Sequence, residues 1–234
     1  ELDRDDREFK NILRGPAPLL DGKIEFTRAE IFMPKVKPSL EVASQIAKDM
    51  LSGVPTRVPF REFKTWTTDL GQSTQTSWLV TSKSAKPVKV YFAFRKKTKI
   101  NSQEQNGALL DNVGVTQITL DVNNKQYPEI AYTSNFATQN FMRLYQAYLQ
   151  AGHKGGPEND EVDAALTAKE WANLYTIYCF DISKRDELIY ENTTSSELRL
   201  NVSCGNDPKW AYCVVESEKE AVISGLNRSM TFLI

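Results

Sequence analysis

The 234-residue chain has a single histidine, His153, and three cysteines, Cys179, Cys204 and Cys213. Non-haem iron oxygenases bind iron with two histidines and a carboxylate, and this chain lacks that ligand set. The four residues also lack the short paired spacings of zinc ligands. Neither a phosphate-binding glycine loop nor a Gly-x-Ser-x-Gly motif occurs. The sequence therefore predicts no cofactor, no metal site and no catalytic residue.

Neither sign of charge is in excess, since the chain has 29 lysines and arginines and 30 aspartates and glutamates. Without a basic field the chain has no long-range attraction for nucleic acid, and we expect no specific nucleic-acid partner. Long apolar runs are also missing, which predicts no transmembrane segment. The clearest local run is Arg95, Lys96 and Lys97, followed by Lys99, at the end of a predicted strand. It is either a solvated strand end or a contact with an acidic neighbour.

The low, odd number of cysteines indicates a reducing compartment and free buried thiols. Cys204 and Cys213 flank a turn signal, Asn206-Asp207-Pro208, so a disulfide across a hairpin is the alternative. A domain of this length buries roughly 70% of the surface that its unfolded chain exposes, and its fold does not depend on such a bond.

Segments that alternate apolar and polar residues, as β-strands do, make up much of the chain. They lie at residues 24–33, 57–67, 74–81, 88–94, 113–122, 174–182, 197–204 and 210–216. Asn123 and Asn124 predict a tight turn. Apolar residues at helical spacing predict helices over residues 40–51 and 135–151, with a short helical turn over 163–171. We predict an all-β fold with minor helices, an eight-stranded jelly-roll β-sandwich.

Five stretches, in this order along the chain, carry a family resemblance. They are Lys23–Leu40, Asn106–Val113, Leu120–Pro128, Phe141–Tyr148 and Leu174–Ser183. The strongest matches to the family are the Tyr127-Pro128 element and the Cys179-Phe180-Asp181 strand. Together the stretches resemble the C-terminal jelly roll of double-jelly-roll major capsid proteins of the Maverick/Polinton and adintovirus type, and of their integrated relatives in animal genomes. The resemblance extends over about residues 1–225.

The resemblance implies the second half of a double jelly roll. Residues 1–22 would be an N-terminal arm or the connection from an upstream jelly roll, 23–222 the capsid domain and 223–234 a C-terminal tail. Whether a first jelly roll is cleaved off or absent by descent stays open. The implied function is structural: homotrimeric capsomers that tile the icosahedral shell of a double-stranded DNA virus or virus-like element. The implied location is the virion capsid, assembled inside the host cell, and the implied further partners are neighbouring capsomers and penton or minor capsid proteins.

The apolar end of the sequence has no covering segment after it, so it must either fold back or dock on a neighbour. We expect docking. Six residues are candidate assembly contacts: Phe232, Leu233, Ile234, Arg95, Lys96 and Lys97. The segments 1–20, 96–107, 152–171 and 223–234, interpreted as non-strand, are further candidates.

Two other functions stay open. One is a jelly-roll glycan- or receptor-binding module, in which exposed aromatic rings would stack on sugars. The aromatic candidates are Phe60, Phe63, Trp66, Trp78, Phe92 and Phe94. Because they lie in alternating strands, we expect them to pack in the core instead. The other is an enzyme with a glycosidase-like pair of carboxylates.

Overall fold

The computed structural model describes residues 27–53, 55–84, 86–99, 108–152, 166–183, 196–224 and 229–233. In this part of the chain there are nine strands: β1 Thr56–Gly71, β2 Gln75–Ser84, β3 Pro87–Lys96, β4 Gln117–Val122, β5 Lys125–Thr133, β6 Ile177–Asp181, β7 Ser196–Ser203, β8 Lys209–Ser224 and β9 Ser229–Leu233. The helices are α1 Leu40–Leu51, α2 Met142–Gly152 and α3 Ala168–Leu174, and a 3-10 turn spans Lys97–Lys99.

The strands form two antiparallel sheets packed as a sandwich. The first sheet has the order β1-β8-β3-β6, with β9 also paired to β8, and the second has the order β2-β7-β4-β5. From β1 to β8 the chain crosses to the other sheet at every connection except β4 to β5. This alternation is the jelly-roll topology. The predicted fold class is confirmed.

The core lies between the two sheets and is rich in aromatic rings. Val90, Phe92 and Phe94 alternate inward along β3 and are fully buried. Phe92 contacts Trp78 of β2, in the facing sheet, edge to face, with ring centroids 6.2 Å apart. Each such side chain contributes roughly 1.5–3 kcal/mol by its removal from water. The alternating apolar residues of β3 therefore hold the two sheets together.

A helical layer extends the core at the side of β6. Trp171 of α3 is fully buried, and its ring lies 5.9 Å from that of Tyr145 on α2. α3 begins with a capping box, in which Thr167 and Glu170 satisfy each other's backbone N–H groups. The capping box fixes where α3 begins and so places Trp171 against the core.

The predicted turn at Asn123 and Asn124 is confirmed. Both residues have positive φ angles, 51° and 62°, as a two-residue hairpin turn with the right twist requires. The backbone N–H of Glu197 donates to the side-chain oxygen of Asn123 at 2.8 Å, which ties the turn to β7. The turn leads into β5, which the sequence did not predict, because the burial along this edge strand does not alternate.

Four predicted segments differ from the structure. The strand over residues 113–122 begins only at Gln117, because residues 113 and 114 form a turn. The strand over residues 24–33 is wrong in its described part, since residues 27–39 form no regular element and are exposed. The helix over 135–151 begins only at Met142, because residues 135–141 form turns closed by a bridge between Asn135 and Asn140. The interpretation of residues 223–234 as a non-strand segment is also wrong, since β8 runs to Ser224 and 229–233 form β9.

The hairpin across Asn206-Asp207-Pro208 is wrong too, and with it the alternative of a disulfide. β7 and β8 lie in different sheets, so this turn is a crossover between the two layers. Cys213 lies between Trp66 and Phe92 on the neighbouring strands. Cys179, Cys204 and Cys213 are free and buried.

Candidate assembly surface

β1, β8 and β9 form a three-stranded extension at one end of the first sheet. The pairing of β3 with β8 stops at Ser217. From Glu220 to Ser224 the same edge of β8 pairs with β9, while β1 continues along the other edge. We call residues 56–62, 218–224 and 229–233 the extension.

One face of the extension is apolar. Residues directly opposite in paired strands lie on the same face, and the register places Val58, Ala221 and Phe232 in one row. The next row holds Ile223 and Met230. Val58 is 42% exposed, Met230 57% and Phe232 59%, whereas Ala221 between them is buried. We call the following set the apolar face of the extension: Val58, Phe60, Ala221, Ile223, Met230 and Phe232.

The apolar face continues the alternation of the core. Side chains alternate along a strand, so Val58 and Phe60 point to the same side of β1 as Trp66, which packs against the core. The exposed fraction of these side chains rises towards the start of β1: Phe60 is half-buried and Val58 is exposed. The extension therefore carries core-like residues to a place where the described chain leaves them in contact with water.

Charged pairs lie on both faces of the extension: Arg57 and Glu220 on the face opposite the apolar one, and Lys219 and Glu62 on the apolar side, next to Phe60. Arg57 contacts Glu220 at 3.1 Å, and Lys219 contacts Glu62 at 2.9 Å. Burial alone would raise the pKa of Glu62, but hydrogen bonds from Lys219 and Lys64 hold that pKa below its usual value. These pairs bind β1 to β8 through side chains as well as through the backbone.

A buried carboxylate lies where the extension joins the sandwich. The Glu216 side chain is 5% exposed and forms an ion pair with Arg61. The hydroxyl of Tyr91 donates to its Oε2 at 3.1 Å. Burial, together with the negative charge of Glu216, raises the pKa of Tyr91. Arg61 and Tyr91 thus provide the partners that a buried charge requires.

The predicted basic contacts have partners within the chain. The guanidinium of Arg95 lies 5.4 Å from the ring centre of Tyr212. Lys96 pairs with Asp207 at 2.6 Å, and Lys97 pairs with Asp69. Arg95 and Lys96 end β3 and Lys97 begins the 3-10 turn after it, beside Lys209 at the opposite end of β8 from the extension. A role for them in assembly stays a prediction.

The three predicted apolar contacts, Phe232, Leu233 and Ile234, differ in their positions. Phe232 belongs to the apolar face, and its ring meets that of Phe60 edge to face at 5.8 Å. Leu233 pairs with Glu220 through the backbone, and Ile234 lies outside the described residues. The segment folds back as β9 and still leaves Phe232 largely exposed, so docking on a neighbour stays a prediction. Val58 and Met230 were not predicted from the sequence as contact residues, although Met230 alternates with polar neighbours as an exposed strand residue does.

The chain before β1 carries a second exposed apolar surface. We call Ile31–Leu51 the apolar arm. Within the described residues, no side chain of α1 is buried. In the preceding stretch Ile31 is 90% exposed and Phe32 88%. Isoleucine and phenylalanine side chains in a core are almost fully buried, so Ile31 and Phe32 belong to no core of this chain in the described residues.

The aromatic residues considered for sugar binding mostly pack inside, as expected. Phe92 and Phe94 are fully buried, and Trp66 and Trp78 pack against the core. Phe63 does not, since it is 62% exposed on the outer side of β1. An open groove of about 470 Å³ on the second sheet is lined by hydroxyl and amide side chains and one valine, without an aromatic ring: Gln75, Thr76, Ser77, Gln117, Thr119, Asn201, Val202 and Ser203.

Across the described ranges, no group of three or more His, Cys, Asp or Glu residues is arranged to hold a metal ion. His153 and the acidic loop around it lie outside those ranges. Among the helices that the structure describes, none has the length and apolarity to span a membrane.

Residues 3–220 match the family model of the double jelly roll-like domain. The chain belongs to this family. The double jelly roll-like chain is similar to a Sputnik virophage chain (16% identity, TM-score 0.45, 77% of this chain and 39% of that one covered). It is also similar to the mavirus major capsid protein (10%, 0.39, 76% and 41%). A third similar chain belongs to a structure of a PBCV-1 protein fitted into a Sputnik reconstruction (8%, 0.48, 84% and 54%).

The double jelly roll-like chain thus spans 39% to 54% of the length of these three solved chains. No curated protein sequence is significantly similar to it.

Proposed function

We propose that this double jelly roll-like protein is a structural capsid protein without catalytic activity. It associates into homotrimeric capsomers, which tile the icosahedral shell of a double-stranded DNA virus or virus-like element. Its place is the virion capsid, and its further partners are neighbouring capsomers and penton or minor capsid proteins. The observation that carries the proposal is the uncovered apolar face of the extension, with Phe232 59% exposed, in a chain of this family.

The physical basis is that the sandwich is rigid, whereas the extension has an exposed apolar face that can bind another molecule. In the sandwich the paired strands satisfy the backbone hydrogen bonds of one another, and the aromatic core fixes the distance between the sheets. Each 100 Å² of apolar surface that association removes from water contributes about 2.5 kcal/mol before the costs of association. Many copies of a modest contact make a firm shell, because each added contact forms at high effective concentration.

The test is the mass of the purified protein in solution, followed by electron microscopy of the same sample. The protein is expressed with whatever upstream sequence its gene encodes. We expect particles of three times the chain mass, which is 26.5 kDa for the present sequence, or closed shells. A monodisperse monomer at high micromolar concentration would overturn the proposal. Binding of that monomer to a glycan array would favour a binding module instead.

A further inference from the structure

We propose that the apolar arm of one copy docks on the apolar face of the extension of a second copy. The arm carries nine large apolar side chains that are each at least 43% exposed: Ile31, Phe32, Met33, Val36, Leu40, Val42, Ile46, Met50 and Leu51. An apolar surface of this extent on a folded chain marks an interaction site.

α1 is a capped helix with one apolar side, which the described chain does not cover. The hydroxyl of Ser39 caps its first turn by accepting from the Val42 N–H. Along the helix, Leu40, Ala43, Ile46 and Met50 recur at spacings of three and four residues, which places them on one side. An isolated helix of about 12 residues is only marginally stable in water. Its apolar side must therefore be covered for the helix to persist.

The apolar face of the extension fits that helix in size. Neighbouring strands lie about 4.8 Å apart, so the outer two of three strands are separated by roughly 10 Å, close to the diameter of a helix. The five residues of β9 extend over roughly 17 Å. The twelve residues of α1 extend over roughly 18 Å. One helix laid along β8 would cover Val58, Ala221 and Phe232 together.

The occupant is a second copy because each chain carries both halves of the contact at the same end. α1 ends at Leu51 and β1 begins at Thr56, inside the extension. Within the described residues the arm is nevertheless exposed, and its own extension leaves α1 unburied. If the arm of each copy docks on the extension of the next copy around a closed ring, every apolar arm and every apolar face is covered. The 21 residues of the arm also match one side of a standard interface, about 20–30 residues.

Cysteine cross-linking between two differently tagged, co-expressed variants tests this docking, which rests on the self-association proposed above. One variant is Ile46→Cys and the other Met230→Cys. We expect a short bis-maleimide to join them into a covalent dimer. The matched control is the pair Gln45→Cys and Thr231→Cys, on the opposite sides of α1 and β9, which we expect to join roughly tenfold less. The native thiols do not compete, because all three are buried.

Two results would overturn the docking. One is that the mixed pair gives no more product than the control pair. The other is that a single chain with Ile46→Cys and Met230→Cys joins within itself at nanomolar concentration, which would show that the arm covers its own extension.

A second measurement separates this docking from self-association in general. Ile46→Asp and Phe232→Asp each place a carboxylate in the proposed contact, and we expect each to weaken association roughly a hundredfold. Gln45→Asp and Thr231→Asp introduce the same side chain on the opposite faces and should leave association unchanged. Circular dichroism and thermal melting confirm that all four variants are folded. If Ile46→Asp leaves the trimer intact, the docking is wrong and the proposed function stands. A monomeric unaltered chain overturns both.

Discussion

Phe60 and Phe232 meet edge to face, with ring centroids 5.8 Å apart and planes at 75°, although their strands do not pair with each other. β1 and β9 flank β8 on opposite sides, and the two rings meet across β8, where Ala221 lies opposite Phe232 and Lys219 lies opposite Phe60. The contact makes the apolar face of the extension one continuous surface.

Replacing Phe232 by alanine should have a small effect on folding. The residue is 59% exposed, so the main loss is its ring contact, about 1 kcal/mol of the free energy of unfolding. Phe92→Ala, at a fully buried position in the same sheet, should cost about 3–5 kcal/mol. Urea unfolding of monomeric protein measures both values. A loss above 3 kcal/mol for Phe232→Ala would show that the residue belongs to the core rather than to an assembly surface.

Replacing Glu216 by alanine should destabilise the fold by about 2–3 kcal/mol. The change leaves the half-buried Tyr91 hydroxyl without its acceptor and removes the partner of Arg61. Glu218→Ala, two residues further along β8 at an exposed position, should change the free energy of unfolding by less than about 0.5 kcal/mol. Chemical unfolding at pH 7 compares the two. Equal effects would show that the buried contacts of Glu216 contribute nothing to stability.

The ion pairs at the end of β3 should appear as an acid-side loss of stability. The hydrogen bond from Lys97 lowers the pKa of Asp69, and the hydrogen bond from Lys96 lowers the pKa of Asp207, both from an ordinary value of 3.8. A carboxyl whose pKa is lower in the folded state stabilises the fold above the unfolded pKa, and this is lost as the pH falls through the folded pKa.

The corresponding measurement compares unfolding of the native chain and of a Lys96→Met, Lys97→Met double variant between pH 6 and pH 2. We expect stability to decline less steeply below about pH 4 in the variant. Since both aspartates are exposed, added salt should reduce the difference. Parallel curves at low salt would contradict the expectation.

The three thiols should react slowly in the folded protein. Burial raises the pKa of each, that of Cys179 to about 12, and the thiolate is the reactive form. Titration with a thiol reagent at pH 8 should detect three thiols in denaturant and few at early times in native protein. A reducing agent should leave the melting temperature unchanged, because all three thiols are free. A stoichiometry of one thiol in denaturant would indicate a disulfide.

The strands that the sequence predicted best are those with one buried and one exposed face. β7 alternates over its whole length, with Leu198, Leu200 and Val202 facing the core, and β3 alternates from Val88 to Arg95. The turn at Asn123 and Asn124 was predictable because positive φ angles favour asparagine. Alternation tells which side of a strand is buried, and for these strands that is sufficient.

Alternation does not tell which strand is the neighbour, and the other predictions failed for that reason. Residues 27–33 alternate as a strand does, yet in the described chain they pair with nothing. The acidic residues Glu216, Glu218 and Glu220 argued against a continuation of β8. The ion-pair partners of Glu216 and Glu220 are Arg61 and Arg57 of β1, which is distant in sequence. Cys204 and Cys213 looked like hairpin neighbours only because a crossover between sheets and a hairpin share the same turn residues.

The register of β1 with β8 runs from Thr56 to Gly71 with one irregularity, near its Gly71 end. A force that pulls the extension along the strand direction therefore acts in shear, and many hydrogen bonds of this ladder must yield together rather than one after another. A contact made through the extension would pass tension from copy to copy along β1 and β8, two strands that run from the extension into the sandwich.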